Sequence, residues 1–192
     1  MAIKTFTSGS VLTAADTNTY LANSGLVYIT EATASNTATA LNITSCFSAT
    51  YDNYRIEISN IRSSSAANIS WQMLNGTTPV TTATYNFAYV GISTLNASTN
   101  TYGASQTSSF ICGISSTSDT GNSVVLDILN PFLARRTVAL GNSINLNGGL
   151  NGFDIRNGGG NHESPVSYDG IRILASAGNI TFTARVYGYR QA

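Results

Sequence analysis

The sole histidine, His162, lies in the segment Asn157-Gly-Gly-Gly-Asn-His-Glu-Ser-Pro165, directly before Glu163. An imidazole beside a carboxylate is the pairing used for general acid–base catalysis or for holding a metal. No second histidine and no local ligand motif accompanies it, so the expectation for this segment is a solvent-exposed loop tip. Serine nucleophiles of the hydrolase type sit on a strained Gly-x-Ser-x-Gly elbow, and no such elbow occurs among the abundant serines. Asp127, Asp154, Glu163 and Asp169 are the acids that would have to converge for glycoside cleavage. Acids dispersed along a chain ordinarily solvate its surface instead. Cys46 and Cys112 have no CxxC or other paired spacing, which argues against a zinc site or disulfide framework and for buried structural thiols. Gly148-Gly149-Leu150-Asn151-Gly152-Phe153-Asp154 departs by one residue from a calcium-binding glycine repeat and does not recur. The glycines at 158–160 are not followed by the Gly-Lys-Ser/Thr of a phosphate loop. The expectation is therefore no catalytic residue, no cofactor and no metal.

Composition narrows the partners. The chain has 192 residues with nine basic and nine acidic side chains, so no net field draws it to nucleic acid or an anionic membrane. Roughly a third of the residues are Ser, Thr or Asn, which wet a surface through hydroxyls and amides instead of charge. Enough β-branched and aromatic residues remain to build a core, which argues against disorder. No apolar run approaches the roughly 20 residues of a bilayer span, so membrane insertion is not expected. The first residues lack a basic segment followed by an apolar one, the mark of a secretory signal. Synthesis in a cytoplasm is the expectation. The Asn-x-Ser/Thr triplets at Asn42, Asn68, Asn75, Asn96 and Asn179 are as frequent as this composition makes by chance.

The elements that must carry any surface chemistry follow from periodicity. Thr13 is a helix N-cap with Asp16 three residues on, and Asn23-Ser24-Gly25 is a stop, which predicts a helix over residues 14–22. That helix is shorter than the roughly 12–15 residues an isolated helix needs in water. Phe6, Leu12, Tyr20 and Leu21 are its means of leaning on another surface. After Gly25 the period becomes two, beginning with the apolar run at residues 26–29. Alternating segments at 41–44, 54–58, 69–73, 85–89, 110–114, 124–129, 137–146, 171–173 and 180–189 predict strands with one buried face. Trp71 falls on a buried face. Turn-rich stretches at 62–68, 75–82, 115–122, 147–164 and 176–179 separate them. Eight to ten antiparallel strands predict an all-β two-sheet sandwich, jelly-roll-like, over residues 26–192, preceded by a short arm at 1–25. Tyr187 and Tyr189 point away from the core, and Tyr102 and Tyr168 join them as aromatic groups for contact with a second subunit or with sugar.

Two stretches carry a family resemblance. Phe6, Gly9, Leu12, Thr13, Ala14 and Asn18 form a pattern that resembles the N-terminal segment of tailed-bacteriophage virion proteins, ahead of a fibre or decoration domain. "YDNYRIEISNI" with the terminal "YDGIRILASAGNITFTARVYGYR" resembles the β-sandwich of virion structural and fibre proteins, notably of phages infecting cyanobacteria and other marine bacteria. The resemblance implies a non-enzymatic virion surface protein, often trimeric, made in the bacterial cytoplasm. Its partners would be other virion proteins of tail or capsid and a host surface glycan. A short tail-fibre or adsorption appendage docked through its N-terminal arm is the leading expectation. A capsid decoration protein and a free carbohydrate-binding lectin are the alternatives.

Overall fold

The computed structural model describes residues 7–11, 13–14, 25–94, 98–115, 121–146 and 152–190. Apart from Ala14, the helix expected at 14–22 lies outside the described residues, as do Phe6, Leu12, Tyr20 and Leu21. Thirteen strands follow one another among the described residues: β1 (Leu26–Ser35), β2 (Ala40–Ile43), β3 (Asn53–Ser63), β4 (Ala67–Asn75), β5 (Thr78–Pro79), β6 (Tyr85–Ser93), β7 (Thr99–Thr107), β8 (Phe110–Ser115), β9 (Asn122–Leu129), β10 (Thr137–Leu146), β11 (Phe153–His162), β12 (Gly170–Ala175) and β13 (Ile180–Tyr189).

They form the expected antiparallel sandwich. The larger sheet has eight strands in the order β1-β13-β3-β9-β10-β11-β6-β7, and the smaller has β2-β12-β4-β5, with β8 also pairing β4 on the edge opposite β12. Alternation decides which side chains lie between them. Tyr54, Ile56 and Ile58 of β3, Ile180, Phe182, Ala184 and Val186 of β13, and Trp71 and Met73 of β4 are all buried in one core. Each large side chain so removed from water contributes on the order of 1.5–3 kcal/mol. Trp71 stacks on Phe110 at 4.8 Å and meets Tyr85 edge-on at 6.1 Å, joining the two sheets. Cys46 is buried and Cys112 half-buried, both as free thiols, and burial pushes each up to about 12.

Three strands occupy stretches that the sequence does not mark as strand: the two-residue β5 in the turn-rich 75–82, β7 and β11. Residues 147–164 read as a loop because of the glycine run, yet β11 runs through Phe153–His162 and pairs with both β10 and β6. The glycines are required by close approach: a Cβ on Gly158 would lie 2.3 Å from the Ala88 carbonyl oxygen, and one on Gly160 would lie 2.0 Å from that of Asn86. β7, rich in Thr and Ser, has only one neighbour and forms an edge of the larger sheet. Its register shifts opposite Tyr85 and Phe87, next to Gln106 at a φ of 56°, a bulge that blunts the edge against further pairing.

Candidate interaction surface

The strand placement of residues 153–162 sends His162 inward. It is 0% exposed, and the loop-tip expectation is corrected: in β11 it shares the inward side with Arg156 and Gly160. Its Nε2 lies 2.8 Å from Thr84 Oγ1 and its Nδ1 3.1 Å from the Tyr168 hydroxyl, while the Tyr85 ring meets it edge-on at 4.4 Å. Burial holds its pKa below the usual imidazole range, partly offset by the Ser164 backbone and the charge of Glu163. Glu163 faces other partners, accepting from Asn86 Nδ2 at 2.8 Å and Gln106 Nε2 at 3.0 Å. Those hydrogen bonds, the Gln106 one foremost, lower its pKa. Imidazole and carboxylate are thus neighbours in sequence with separate structural duties. Tyr168 is corrected as well. At 3% exposure it packs edge-on to His162 at 5.1 Å and presents no ring to a partner.

The dispersed acids do not converge. Asp127 points to the outer face of the larger sheet, whereas Asp154 lies on the inner side of β11, 3.7 Å from Arg156. Asp169 accepts a backbone hydrogen bond from Gly76 at 2.9 Å, at a turn beside the smaller sheet. Among the described residues no three His, Cys, Asp or Glu side chains are grouped to hold a metal. No helix of the described residues is long and apolar enough to cross a membrane.

On the inner side of the larger sheet, Arg156 lies over the rings of Tyr89 and of Tyr102, which stays 43% exposed, 5.1 Å from each centroid, and donates to the Tyr89 hydroxyl at 3.1 Å. Tyr102 stacks on Tyr89 at 4.8 Å, on the inner side of edge strand β7. Beside them Phe110, Cys112, Ser143 and Gly158 help to line a small cavity of about 20 Å³. The guanidinium is committed to two rings, a hydroxyl and Asp154, and so braces the inner face.

The outer face of the larger sheet is the broad surface that the second sheet leaves uncovered, and it is divided by chemistry. On β1, β13, β3 and β9 the outward residues include charged side chains and Tyr28, Tyr187 and Tyr189, set among Thr and Ser. Arg55 donates twice to Asp127, Nε to Oδ1 and Nη2 to Oδ2, both at 2.9 Å, and the Tyr189 hydroxyl donates to Oδ1 at 2.5 Å. The Arg55 guanidinium also sits 5.8 Å from the Tyr189 ring centroid. The Arg55 hydrogen bonds, helped by that of Tyr189, hold the Asp127 carboxyl below its usual range, and burial followed by the Asp127 contact raises Tyr189. Tyr187, paired across strands with Tyr28, meets it edge-on at 6.0 Å, and Tyr28 is 57% exposed. Arg185 donates to Glu31 at 2.7 Å along the same strands. Tyr187 and Tyr189 therefore stand on the outer face with Tyr28 and the Arg55–Asp127 pair. Tyr28 and Asp127 were missed in the sequence as members of this cluster. The alternation of Tyr54-Arg55-Ile56-Glu57-Ile58 placed Arg55 outward, but only the strand register reveals its partner.

On β10, β11 and β6 the outward residues carry no charge. Ile144, Ile155 and Ile92 stand side by side across the three strands, flanked by Leu140, Val90 and Phe153. Asn157 donates through Nδ2 to Asn142 Oδ1 in their midst. The molecule is thus an all-β sandwich whose available chemistry lies on one large, two-part sheet face. No known protein family, curated protein or solved structure matches the chain.

Proposed function

We propose that the chain is a non-enzymatic surface protein of a bacteriophage particle, in which the sandwich is the head and the segment before Gly25 docks it onto another virion protein. The virion assignment rests on the sequence patterns at the two ends of the chain. One structural observation supports a contact protein over a catalyst: the imidazole and carboxylates that could do chemistry are tied to separate structural partners, while a broad aromatic and polar sheet face stays open. Tyr28 is edge-on to Tyr187, which is itself bordered by the Arg55–Asp127 pair, and the row offers a ring face with directed hydrogen-bonding groups, the chemistry that recognises a host surface glycan. In this reading the protein is a short trimeric tail appendage.

The uncharged half of the same face favours a second reading, a capsid decoration protein bracing a shell through apolar contact. Copy number per particle separates the two. Hundreds of copies identify decoration, whereas a small multiple of three or six identifies a tail appendage. The arm itself is tested by deleting residues 2–24 and measuring incorporation into particles by quantitative mass spectrometry. Loss of incorporation with a folded head supports docking through the arm, and incorporation at normal copy number overturns it.

A further inference from the structure

The outer face of β10, β11 and β6 is unusual for an exposed sheet surface. Ile92, Leu140, Ile144 and Ile155 are 46–56% exposed, with Val90 and Phe153 beside them at 45% and 37%. They are not scattered: Ile144 pairs with Ile155 and Ile155 with Ile92, so one aliphatic row crosses three neighbouring strands in register. In an antiparallel sheet that is solvated on one face, these outward positions are ordinarily polar. A contiguous apolar patch of this kind marks a contact surface.

The chemistry of the face specifies the partner. No outward residue on β10, β11, β6 or β7 is charged, while the outward charges of this sheet, Glu31, Arg55, Glu57, Arg62, Asp127 and Arg185, all lie on β1, β3, β9 and β13. Nucleic acid, an anionic membrane surface or a charged peptide would find nothing to pair with here. A surface that carries aliphatic groups and amides alone is complementary to itself. Asn142 and Asn157 each bring both a donor and an acceptor, so copies of the pair can hydrogen-bond to one another without leaving a buried charge. Size is close. With β7, whose outward side is also uncharged, the four strands at their usual spacing and rise present roughly 20 by 30 Å, somewhat under the ~800 Å² that each partner contributes to a standard interface.

We infer that the outer face of β10, β11 and β6 is the contact between copies of this chain, with the Ile92–Ile155–Ile144 row at its centre. The inference rests on the oligomeric part of the reading above and is independent of whether a particle receives the arm. Symmetry then places the same row from each copy together, and the charged, tyrosine-bearing half faces outward.

The test is the mass of the full chain in solution by light scattering at micromolar concentration. The expected particle is a closed multiple of 20.1 kDa, three times that mass in the trimeric reading. Ile155→Lys adds a charge at a solvent-facing position that the monomer tolerates. The variant is expected to move the dissociation midpoint at least tenfold towards higher concentration, with an unchanged circular dichroism spectrum. Ile92→Lys is the second variant and should do the same, while Thr33→Lys on the charged half should leave the mass unaltered. A wild-type particle of 20.1 kDa overturns the inference. So does an oligomer that both lysine variants leave intact, or one that dissociates only when residues 2–24 are removed. Loss of incorporation into particles by a chain that is monomeric throughout would sink this inference and leave the docking arm standing.

Discussion

At the residue scale, Asp127 and His162 are opposite cases of an ionisable group placed by strand alternation. Asp127 faces outward and is held ionised by two hydrogen bonds from Arg55 and one from Tyr189. Its pKa is lowered in the folded state, so its contribution to stability is complete above the unfolded value of about 3.9 and is lost as pH falls through the lower folded value. Asp127→Asn should cost roughly 1 kcal/mol at neutral pH, a figure kept small because the pair is partly exposed to solvent. In urea unfolding the gap between wild type and variant should close below about pH 4. A gap that persists unchanged at pH 3 would show that charge is not what the contact supplies. His162 is the reverse, a base kept neutral by burial. As pH falls below about 6.5 the unfolded chain takes up a proton before the folded one does, so stability drops until the lower folded pKa is reached. His162→Gln should remove that part of the loss between pH 7 and 5, seen as a flatter melting temperature profile. An equally steep profile would assign the acid sensitivity to other groups.

At the scale of elements, β11 shows both what the sequence carries and what it hides. Strands with aliphatic or aromatic alternation, such as β3, β4 and β13, bury the faces that their period-two patterns indicate. β11 alternates too, with Asp154, Arg156, Gly158, Gly160 and His162 inward, but its inward positions are polar or lack a side chain. Hydrophobic periodicity has nothing to register there. The reason for the glycines lies on β6 and β10, whose carbonyls approach too closely for a Cβ, and that fact belongs to a register no local window contains. β7 was missed for a related reason, since an edge strand needs no apolar face when Thr and Ser can meet water directly. The interaction surface was legible in part. Outward Tyr187 and Tyr189 follow from alternation in β13, whereas the pairing of Arg55 with Asp127 and the buried place of Tyr168 depend on which strands are neighbours. The packing argument has a direct consequence. Gly160→Ala would set a Cβ 2.0 Å from the Asn86 oxygen and 2.4 Å from the Phe110 ring, and should cost at least about 2 kcal/mol. Gly76→Ala meets nothing within 4 Å and carries only the strain of a φ of 62°, about 1 kcal/mol. Chemical denaturation of both variants ranks them, and equal costs would mean that β11 can move away from β6 without penalty.

At the scale of the whole molecule, the described strands begin directly after Gly25. Every described strand lies between Leu26 and Tyr189, and the core draws on both sheets from Ala34 to Val186. The two ends of this unit meet each other: Arg190 donates its backbone hydrogen to the Gly25 carbonyl at 3.2 Å, extending the pairing of β1 with β13. Residues 7–11 are exposed and add nothing to the core. A chain lacking residues 2–24 but keeping Gly25 should therefore unfold as cooperatively as the full chain, with stability unchanged to within about 1 kcal/mol, since surface changes away from packed features rarely exceed that. Circular dichroism melts of the two chains measure it. If the arm serves only docking, the truncated head keeps its melting temperature and its solution mass while it loses its place on a particle. A fall of 10 °C or more on truncation would mean instead that the segment before Gly25 folds back onto the sandwich as part of its core. Attachment would then have to come from the sheet face, with Tyr28, Tyr187 and the Arg55–Asp127 pair as the groups left to make it.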